Sequence, residues 1–436
     1  MSDGIRVSLL RRHRDFRLLW CGETTGKFGA AVTAVAMPLI AVSTLDASTW
    51  EVGVLSASAW LPWLLVGLPA GAWVDRVRRR PVMLVAAAVS FLLFAAVPVT
   101  AWTGRLTVGL LVAIALLTGT AAVFFQTAYT AYLPSILAPE DQPEGNAKLH
   151  GSASAAQIAG LGSAGLIGQT VGVVNAMFAN AATFLVSFLC VASIREREPR
   201  RRKAAPGSTV LLAEVGEGLR LVARDPWLRT LTLFGAASNL ALMGYQSIQV
   251  VFLVHTVGLA SGAVGGLIAV AGAGGIAGAI IARRVADRIG TARAMLLFEL
   301  GFAVFALLIP AASGGAGLLF FATGGFCVSA GIVAGNVIKS SFQQSYCPPM
   351  LLGRLTASAA FLNYGTIPLG ALLGGWLGTA FELRTAMWIT TAGVPLAALI
   401  LLFSPVGRSR DLPQGQWRAH APAEGGGARA GRTPRA

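Results

Sequence analysis

Charged residues are scarce in this sequence: they make up 12% of its 436 residues, against 55% that are hydrophobic. Because soluble domains carry about 25% charged residues, this shortage excludes an ordinary soluble protein. Histidine and cysteine are also scarce, with four of each. They are scattered singly and not grouped at metal-ligand or disulfide spacing. We therefore expect no metal site, no catalytic cluster and no enzymatic activity.

The hydrophobic residues lie in twelve long runs, and a membrane-spanning helix needs roughly 20 apolar residues. The runs cover approximately residues 18–42, 51–73, 81–102, 106–131, 147–171, 173–194, 228–254, 262–283, 291–312, 315–339, 354–379 and 384–405. This pattern predicts an all-α integral membrane protein with twelve transmembrane helices.

One long polar interval, 195–227, divides the spans into six and six. We predict a six-helix bundle over 18–194, a linker over 195–227 that contains an amphipathic helix, and a second six-helix bundle over 228–405. Residues 1–17 are predicted to form an N-terminal tail. Residues 406–436 are predicted to form a disordered tail, because the sequence after Leu412 is rich in proline, glycine, alanine and arginine and has no apolar period.

Positive charge is concentrated on one side of the predicted membrane. If the runs are spans, 31 of the 34 lysines and arginines fall in the loops and tails of that side. Such residues mark the cytoplasmic side, which predicts cytoplasmic termini and a multi-pass protein of the cell (inner or plasma) membrane. The net charge of +15 does not indicate a nucleic-acid partner, because the sequence has no folded basic domain.

A basic loop follows the second run and reads Gly71-Ala-Trp-Val-Asp75-Arg76-Val-Arg78-Arg79-Arg80-Pro81. An aspartate near a helix N-terminus is stabilised by the helix dipole, and arginines can bridge neighbouring loops. The loop is therefore a candidate latch that locks the cytoplasmic side in one state. The alternative is that its arginines only fix the orientation of the protein.

The chain contains signs of an internal duplication. A degraded copy of the basic loop lies 212 residues later and keeps Asp287, Arg288, Gly290 and Arg293. Two polar pairs inside the spans recur at a similar offset: Lys27 and Asn239 are 212 residues apart, and Gln126 and Asn336 are 210 apart. We predict two pseudo-symmetric repeats with a substrate path between them, faced by the first and fourth span of each half.

Glu23 and Lys27 lie inside the first span, one helical turn apart, so they share a face and can pair. Counted at ~1.5 Å per residue, Lys27 lies near the middle of the bilayer. Ionisable residues at such depth are costly and usually mark a transport pathway. We predict that this pair couples transport to protons; the alternative is a static pair that joins two helices. The surrounding segment 22–28 lacks the spacing of a phosphate-binding loop, so no nucleotide is expected.

Further polar side chains inside the predicted spans are candidate substrate contacts through hydrogen bonds. They are Gln126, Tyr129, Gln157, Asn239, Gln246, Gln249 and Asn336. Buried amides also join transmembrane helices to one another, so each of these residues has a structural alternative.

With these motifs the chain resembles the Major Facilitator Superfamily, and within it the bacterial drug and siderophore exporters of the macrolide-efflux and enterobactin-exporter type. The signature loop of that superfamily is matched here by Gly71, Asp75, Arg76, Arg79 and Arg80. Arg78 replaces its second glycine, and in the second copy Arg283 replaces the leading glycine. The resemblance implies the major facilitator fold, in which the matching residues of both loops gate the conformational cycle.

The resemblance also implies a secondary active transporter that works by alternating access. We expect it to export a hydrophobic or amphipathic small molecule, such as an antibiotic, drug or secondary metabolite, in exchange for protons. The proton gradient is the expected energy source, with no cofactor, and the protein is expected to act as a monomer. The alternatives are a siderophore exporter, a proton-coupled importer of a small metabolite, and a membrane sensor or enzyme on the same scaffold.

Two features common in drug–proton antiporters of this superfamily are missing from the sequence. The span over 106–131 has no arginine inside it, and the fifth span reads Gly160-Leu161-Gly162 where a Gly-Pro motif is common. The proton-coupling residues of those antiporters therefore have no direct counterparts at these two places.

Overall fold

The structure is a computed structural model, and it describes residues 9–74, 76–138, 140–195, 220, 222–347 and 349–413. Every regular element in these ranges is a helix, which confirms the predicted all-helical fold. Asp75, most of the predicted linker helix and the tail beyond 413 lie outside the described residues.

The first half of the chain forms six long helical segments after a short helix, Leu9–Arg12. Numbered one to six in chain order, these spans are Arg14–Leu45, Thr49–Leu65 continued by Gly67–Val74, Arg79–Trp102, Val108–Ile136, Gln142–Val171 and Ala176–Ala192. Span two is interrupted at Val66 because Pro69 has no N–H to donate to the carbonyl of Leu65, and its ring clashes with that carbonyl. Its start is fixed by a capping box between Ser48 and Glu51.

The second half forms six more segments within the described residues. Spans seven to nine are Pro226–Val251 with the π-helical turn Phe252–Thr256, Ser261–Ile289, and Thr291–Leu296 continued through Leu297–Gly301 and Ala303–Ala311. Spans ten to twelve are Leu318–Tyr346 preceded by the turn Gly315–Gly317, Pro349–Ala380, and Leu383–Leu402. The side chain of Asp225 caps span seven by accepting from the N–H groups of Trp227 and Leu228. A short helix, Pro405–Arg408, follows the last span.

The outer surface of the helices is apolar. Val85 and Leu92 of span three, and Leu369 and Trp376 of span eleven, are exposed and lie two helical turns apart on one face. Such continuous apolar faces are unfavourable in water and are expected where helices contact lipid. In the described part of the chain, eight helices are long and apolar enough, by length and composition, to cross a membrane. The predicted integral membrane protein is therefore confirmed.

The two faces of the bundle differ in how the halves pack. We call the face near Arg14, Arg79 and Arg288 the arginine-rich face, and the face near Leu45 and Ala380 the opposite face. Near the opposite face, buried side chains from both halves form one shared core. Near the arginine-rich face, each half has its own core. The halves are therefore joined at one face and packed separately at the other.

Close contacts at glycine residues hold the halves together near the opposite face. A Cβ atom on Gly53 of span two would lie 2.8 Å from the Cα of Gly375 on span eleven and 2.9 Å from the carbonyl oxygen of Ala371. A Cβ atom on Gly262 of span eight would overlap the side chain of Gln169 on span five. Small residues let helix backbones approach in this way, so the two span pairs close this face.

The C-terminal segment remains packed beyond the predicted start of the tail at 406, so that boundary was placed too early. Oδ1 of Asp411 accepts a hydrogen bond of 2.8 Å from the N–H of Thr291, which lies at the start of span nine. The N–H of Leu412 donates to the hydroxyl of Thr291 at 2.8 Å. A carboxylate is favourable at this position because helix N-termini have unpaired N–H groups and positive dipole charge.

A valine at Gly53 should loosen the closed face, because its side chain cannot fit against the backbone of span eleven. The reporter is a cysteine introduced at buried Val42, in a protein whose four natural cysteines are replaced by alanine. We expect Gly53→Val to increase labelling of this cysteine by a membrane-impermeant maleimide.

The matched control is Gly67→Val on the same span, where a Cβ atom would meet nothing within 4 Å among the described residues. We expect this control to label like the parent protein. Equal labelling of both glycine variants would contradict the assigned closure.

Candidate transport cavity and gate

A cavity of about 730 Å³ lies between the two halves and borders their shared core. It is lined by residues of spans one to six from the first half and of spans seven to ten from the second. Most lining side chains are apolar, and the aromatic ones at its wall include Trp60, Trp63, Phe94, Phe125, Phe184 and Phe321. A volume of roughly 300–1,000 Å³ with an apolar wall is typical of small-molecule sites.

Glu23 and Lys27 form an acid–base pair in the wall of this cavity. The Nζ atom of Lys27 lies 3.4 Å from Oε1 of Glu23. It also donates a hydrogen bond of 2.8 Å to Oε1 of Gln126 on span four. The Glu23 side chain is 7% exposed and the Lys27 side chain 38%, so the acid is enclosed and the base faces the cavity. Pairing lowers the cost of holding charges at this depth.

The four glutamines among the predicted substrate contacts all line the cavity. They are Gln126 on span four, Gln157 on span five, and Gln246 and Gln249 on span seven. Each supplies an amide that can donate and accept hydrogen bonds. Polar groups are therefore present on both halves of an otherwise apolar wall.

The other three predicted contacts, Tyr129, Asn239 and Asn336, do not line the cavity. Each lies about one helical turn nearer the arginine-rich face than the lining residues of its span. Tyr129 is buried in the core of the first half. Asn239 donates a hydrogen bond of 3.2 Å to the carbonyl of Asn363 and so joins spans seven and eleven. Asn336 is exposed one turn beyond the lining residue Val333.

Trp60 and Trp63 of span two line the cavity and were not among the predicted site residues. Their rings lie 6.2 and 5.5 Å, centroid to centroid, from the ring of Tyr364 on span eleven. The three rings form an aromatic contact between the halves. Tryptophan in membrane proteins is enriched at the bilayer interfaces, so two tryptophans three residues apart in mid-span were a signal available in the sequence.

The basic loop brings Arg79 and Arg80 against the ends of two neighbouring helices. Nη1 of Arg79 donates to the carbonyl of Ala131, near the end of span four, at 2.7 Å. Arg80 donates to the carbonyls of Val191 and Ala192, at the end of span six, at 3.2 and 2.6 Å. Cations are favourable at helix C-termini because the last carbonyls are unpaired and the dipole is negative there. These arginines therefore tie spans three, four and six together.

The other residues of the first loop have fewer described contacts. Asp75 lies outside the described residues. Arg76 is exposed, and a Cβ atom on Gly71 would meet nothing within 4 Å among the described residues. The described contacts of this loop are thus made within the first half, and its gating role stays a prediction.

The second copy of the loop makes different contacts. Arg283 pairs with Asp287 across one turn of span eight at 3.9 Å, and Arg288 is exposed beside them. Gly290 has a φ of +98°, and a side chain there would overlap the backbone of Arg410. The carbonyl of Arg410 in turn accepts from the N–H of Arg293 at 3.3 Å. The C-terminal segment therefore lies against this copy.

Replacing Arg80 by alanine should destabilise the first half, since it removes the charged donor from the carbonyls at the end of span six. Hydrogen bonds to charged groups contribute about 1.5–3 kcal/mol, so we expect a lower thermal unfolding temperature in detergent. Exposed Arg78 is the matched control, and Arg78→Ala should leave the temperature unchanged. Equal temperatures for the two variants would refute the capping role.

The profile of the Major Facilitator Superfamily matches residues 19–367 of the chain. Over 420 residues the chain is 28% identical to the multidrug efflux pump Tap of Mycolicibacterium fortuitum, covering 91% of this chain and 96% of that pump.

Two crystal structures with similar folds are those of a mutant nucleoside transporter, NupG, and of a bacterial homologue of the iron transporter ferroportin in an inward-facing state. The first has a TM-score of 0.74 at 11% identity and covers 89% of this chain and 99% of NupG. The second has a TM-score of 0.71 at 16% identity and covers 91% of this chain and 99% of that protein. The family match spans most of both halves and both signature loops, and the chain belongs to the Major Facilitator Superfamily.

Proposed function

We propose that this protein is a secondary active transporter that exports hydrophobic or amphipathic small molecules, such as antibiotics and other drugs, in exchange for protons. The observation that carries the proposal is the apolar cavity of about 730 Å³ between the halves, with the Glu23–Lys27 pair in its wall. The multidrug efflux pump Tap, which aligns over almost its whole length, supports the export direction and the class of substrate.

In this proposal the arginine-rich face is the cytoplasmic face, because positively charged loops are retained there during insertion. The shared core then closes the outer side, and the separately packed ends leave the cavity accessible from within. A substrate enters from the cytoplasm, and rocking of the two halves exposes it to the outside. Each chain contains a complete cavity, which supports the expectation that a monomer suffices.

The cavity wall fits substrates that differ in shape but share apolar and aromatic surface. The rings of Trp60 and Trp63 offer stacking surfaces, which prefer no single ligand geometry. The glutamines can turn either a donor or an acceptor toward a polar group of the substrate. A ligand held mainly by apolar contact loses little affinity when its shape changes, and this supports export of several compounds by one site.

Glu23 is the residue that carries the proton in this proposal, and no cofactor takes part. As a carboxylate it compensates the charge of Lys27, whose other partner is Gln126. When Glu23 takes up a proton on one of its carboxylate oxygens, Lys27 loses this counter-charge and retains its bond to Gln126. The charge of the cavity therefore changes with each proton bound, which links proton exchange to substrate occupancy.

The proposal is tested by expression in a bacterial host that lacks its own drug pumps, with susceptibility measured across chemical classes. We expect resistance to at least one class of lipophilic compound, and loss of that resistance when a protonophore removes the proton gradient. Increased susceptibility would indicate import, and secretion of a siderophore would indicate the siderophore alternative. Unchanged susceptibility to every class would contradict drug export.

Glu23→Gln should remove the dependence of export on the pH gradient, because glutamine cannot bind and release a proton. The measurement is substrate movement in everted vesicles with and without an imposed gradient. We expect uphill transport to be lost while movement down a substrate gradient remains. Glu51→Gln is the matched control, since it keeps the capping box of span two. Gradient-dependent transport by Glu23→Gln would rule out the proton role.

Trp60→Ala should weaken the binding of aromatic substrates by ~2- to 12-fold, because an aromatic contact contributes about 0.5–1.5 kcal/mol. The measurement is equilibrium binding of a fluorescent lipophilic dye to purified protein. Trp388→Ala is the control, since Trp388 is exposed on span twelve and does not line the cavity. Equal loss of affinity in both variants would place the aromatic contact elsewhere.

A further inference from the structure

A second carboxylate is buried in the membrane-spanning part of the protein, outside the central cavity. Glu299 lies in span nine and is 8% exposed. It is the middle residue of the π-helical turn Leu297–Gly301, after which the helix continues as the 3₁₀ segment Ala303–Ala311. Irregular turns of this kind inside helices are frequent at functional sites and hinges.

Two glycines of span ten make room for this turn. A Cβ atom on Gly331 would overlap the carbonyl oxygen of Phe298, and one on Gly335 would overlap Oε1 of Glu299. The glycines are one turn apart, so they present a smooth strip of backbone to span nine. The Glu299 carboxylate is therefore held directly against the backbone of span ten.

The carboxylate also borders a small cavity beside the central one. This cavity has a volume of about 10 Å³ and is lined by Ser238, Phe298, Glu299, Ala303, Val328, Ile332 and Val394. A polar space of roughly 10–15 Å³ can hold one water molecule. Val328 and Ile332 line both cavities, so the small cavity adjoins the central one at these two side chains.

Lys339 is the ionisable residue of span ten on the same side as Glu299. It lies one turn beyond Gly335, so the i, i+4 spacing places it along the strip of span ten that Gly331 and Gly335 present to span nine. The cavity contacts from spans seven and twelve are Ser238 and Val394, neither of them ionisable. The charged residue of span twelve, Arg384, binds the carbonyls of Pro310 and Ala312 at the far end of span nine.

An ionisable pair at this depth is costly to maintain and in membrane proteins usually serves a function. A purely structural contact at this position needs only a neutral amide, which would avoid the cost of a buried charge. The arrangement instead combines an acid, a base, an irregular turn and space for one water molecule, next to the central cavity between the halves.

We propose that Glu299 is a second proton-binding site, in the C-terminal half, with Lys339 as its counter-charge. A hydronium ion gives a proton to a carboxylate oxygen of Glu299 and becomes water, and a water molecule takes the proton back as the halves move. The bound proton neutralises the carboxylate and leaves the charge of Lys339 uncompensated. This inference rests on the proposed exchange of substrate for protons, and it adds a site to the one at Glu23.

The test combines two measurements on purified full-length protein, for Glu299→Gln and for the control Glu382→Gln, which changes an exposed residue at the start of span twelve. Infrared difference spectra between acidic and alkaline buffer report protonation of carboxyl groups. Proteoliposomes report the protons moved per substrate. We expect Glu299→Gln to lose one carboxyl band and to move fewer protons per substrate, while transport down a substrate gradient remains. The control loses the band of an exposed carboxyl group, but it should keep the band that Glu299→Gln loses and should move as many protons per substrate as the wild type.

If Glu299→Gln does not fold, Glu299→Gln combined with Lys339→Gln removes both charges together and is measured in the same way. The same carboxyl bands and the same proton count as the wild type, in whichever variant folds, would overturn the proposal while leaving proton exchange at Glu23 intact. A wild type that moves no protons with its substrate would overturn both this site and the proton part of the proposed function.

Discussion

Close backbone packing between the two halves exists near one face of the membrane and is replaced by separate cores at the other. Near the opposite face, Gly53 lies against the backbone of span eleven at Gly375, and Gly262 of span eight lies against the side chain of Gln169 on span five. The arginine-rich ends of the same bundle are stabilised within each half. The halves are therefore held together mainly by the shared core and by the packing of span two against span eleven, which includes the contact of Trp60 and Trp63 with Tyr364.

The charged residues of the cavity wall fit this separation into halves. A charge in the membrane interior is costly unless it is paired, and here the partners lie in the same half. Lys27 has two partners, Glu23 on its own span and Gln126 on span four, so its charge is satisfied without a contact to the second half. Arg79 and Arg80 act in the same way at the membrane surface, where they bind helix ends of the first half. Among the described residues, these polar contacts thus lie within the first half, whereas the core shared by the halves is apolar. Apolar contacts can be broken and remade at lower cost than buried ion pairs.

Several parts of this arrangement could be predicted from the sequence, because they depend on local pattern. Hydrophobic runs predict spans, and the i, i+4 spacing of Glu23 and Lys27 predicts their pairing. The duplicated loop and the two polar pairs, which recur at offsets of 212 and 210 residues, indicate Lys27 and Gln126 as site residues. The repeat offset pairs Lys27 and Gln126 each with a residue of the other half. In the structure, Lys27 and Gln126 are hydrogen-bonded to each other, although they lie 99 residues apart in sequence. Contacts between helices far apart in sequence depend on how each helix is rotated, and periodicity does not determine that.

The same limit explains the residues that were missed or misplaced. Asn239 was matched to Lys27 by the repeat offset, yet it bonds to the backbone at Asn363, one turn away from the cavity. A rotation or shift of one turn is enough to remove a side chain from a site. The sequence predicts a disordered tail from residue 406, but Asp411 accepts a hydrogen bond from the N–H of Thr291 at the start of span nine. Capping of this kind by a distant segment leaves no periodic signal.

The most direct test is whether the two faces of the bundle open and close alternately. It uses two distances between spin labels on the two halves, measured by double electron–electron resonance. One pair of labels, at exposed Arg78 and Arg288, spans the arginine-rich face, and the other, at exposed Arg105 and Glu382, spans the opposite face. On adding substrate and changing pH, we predict that the first distance shortens while the second lengthens. Two distances that stay constant, or that change in the same direction, would contradict a transporter whose halves rock about a central cavity.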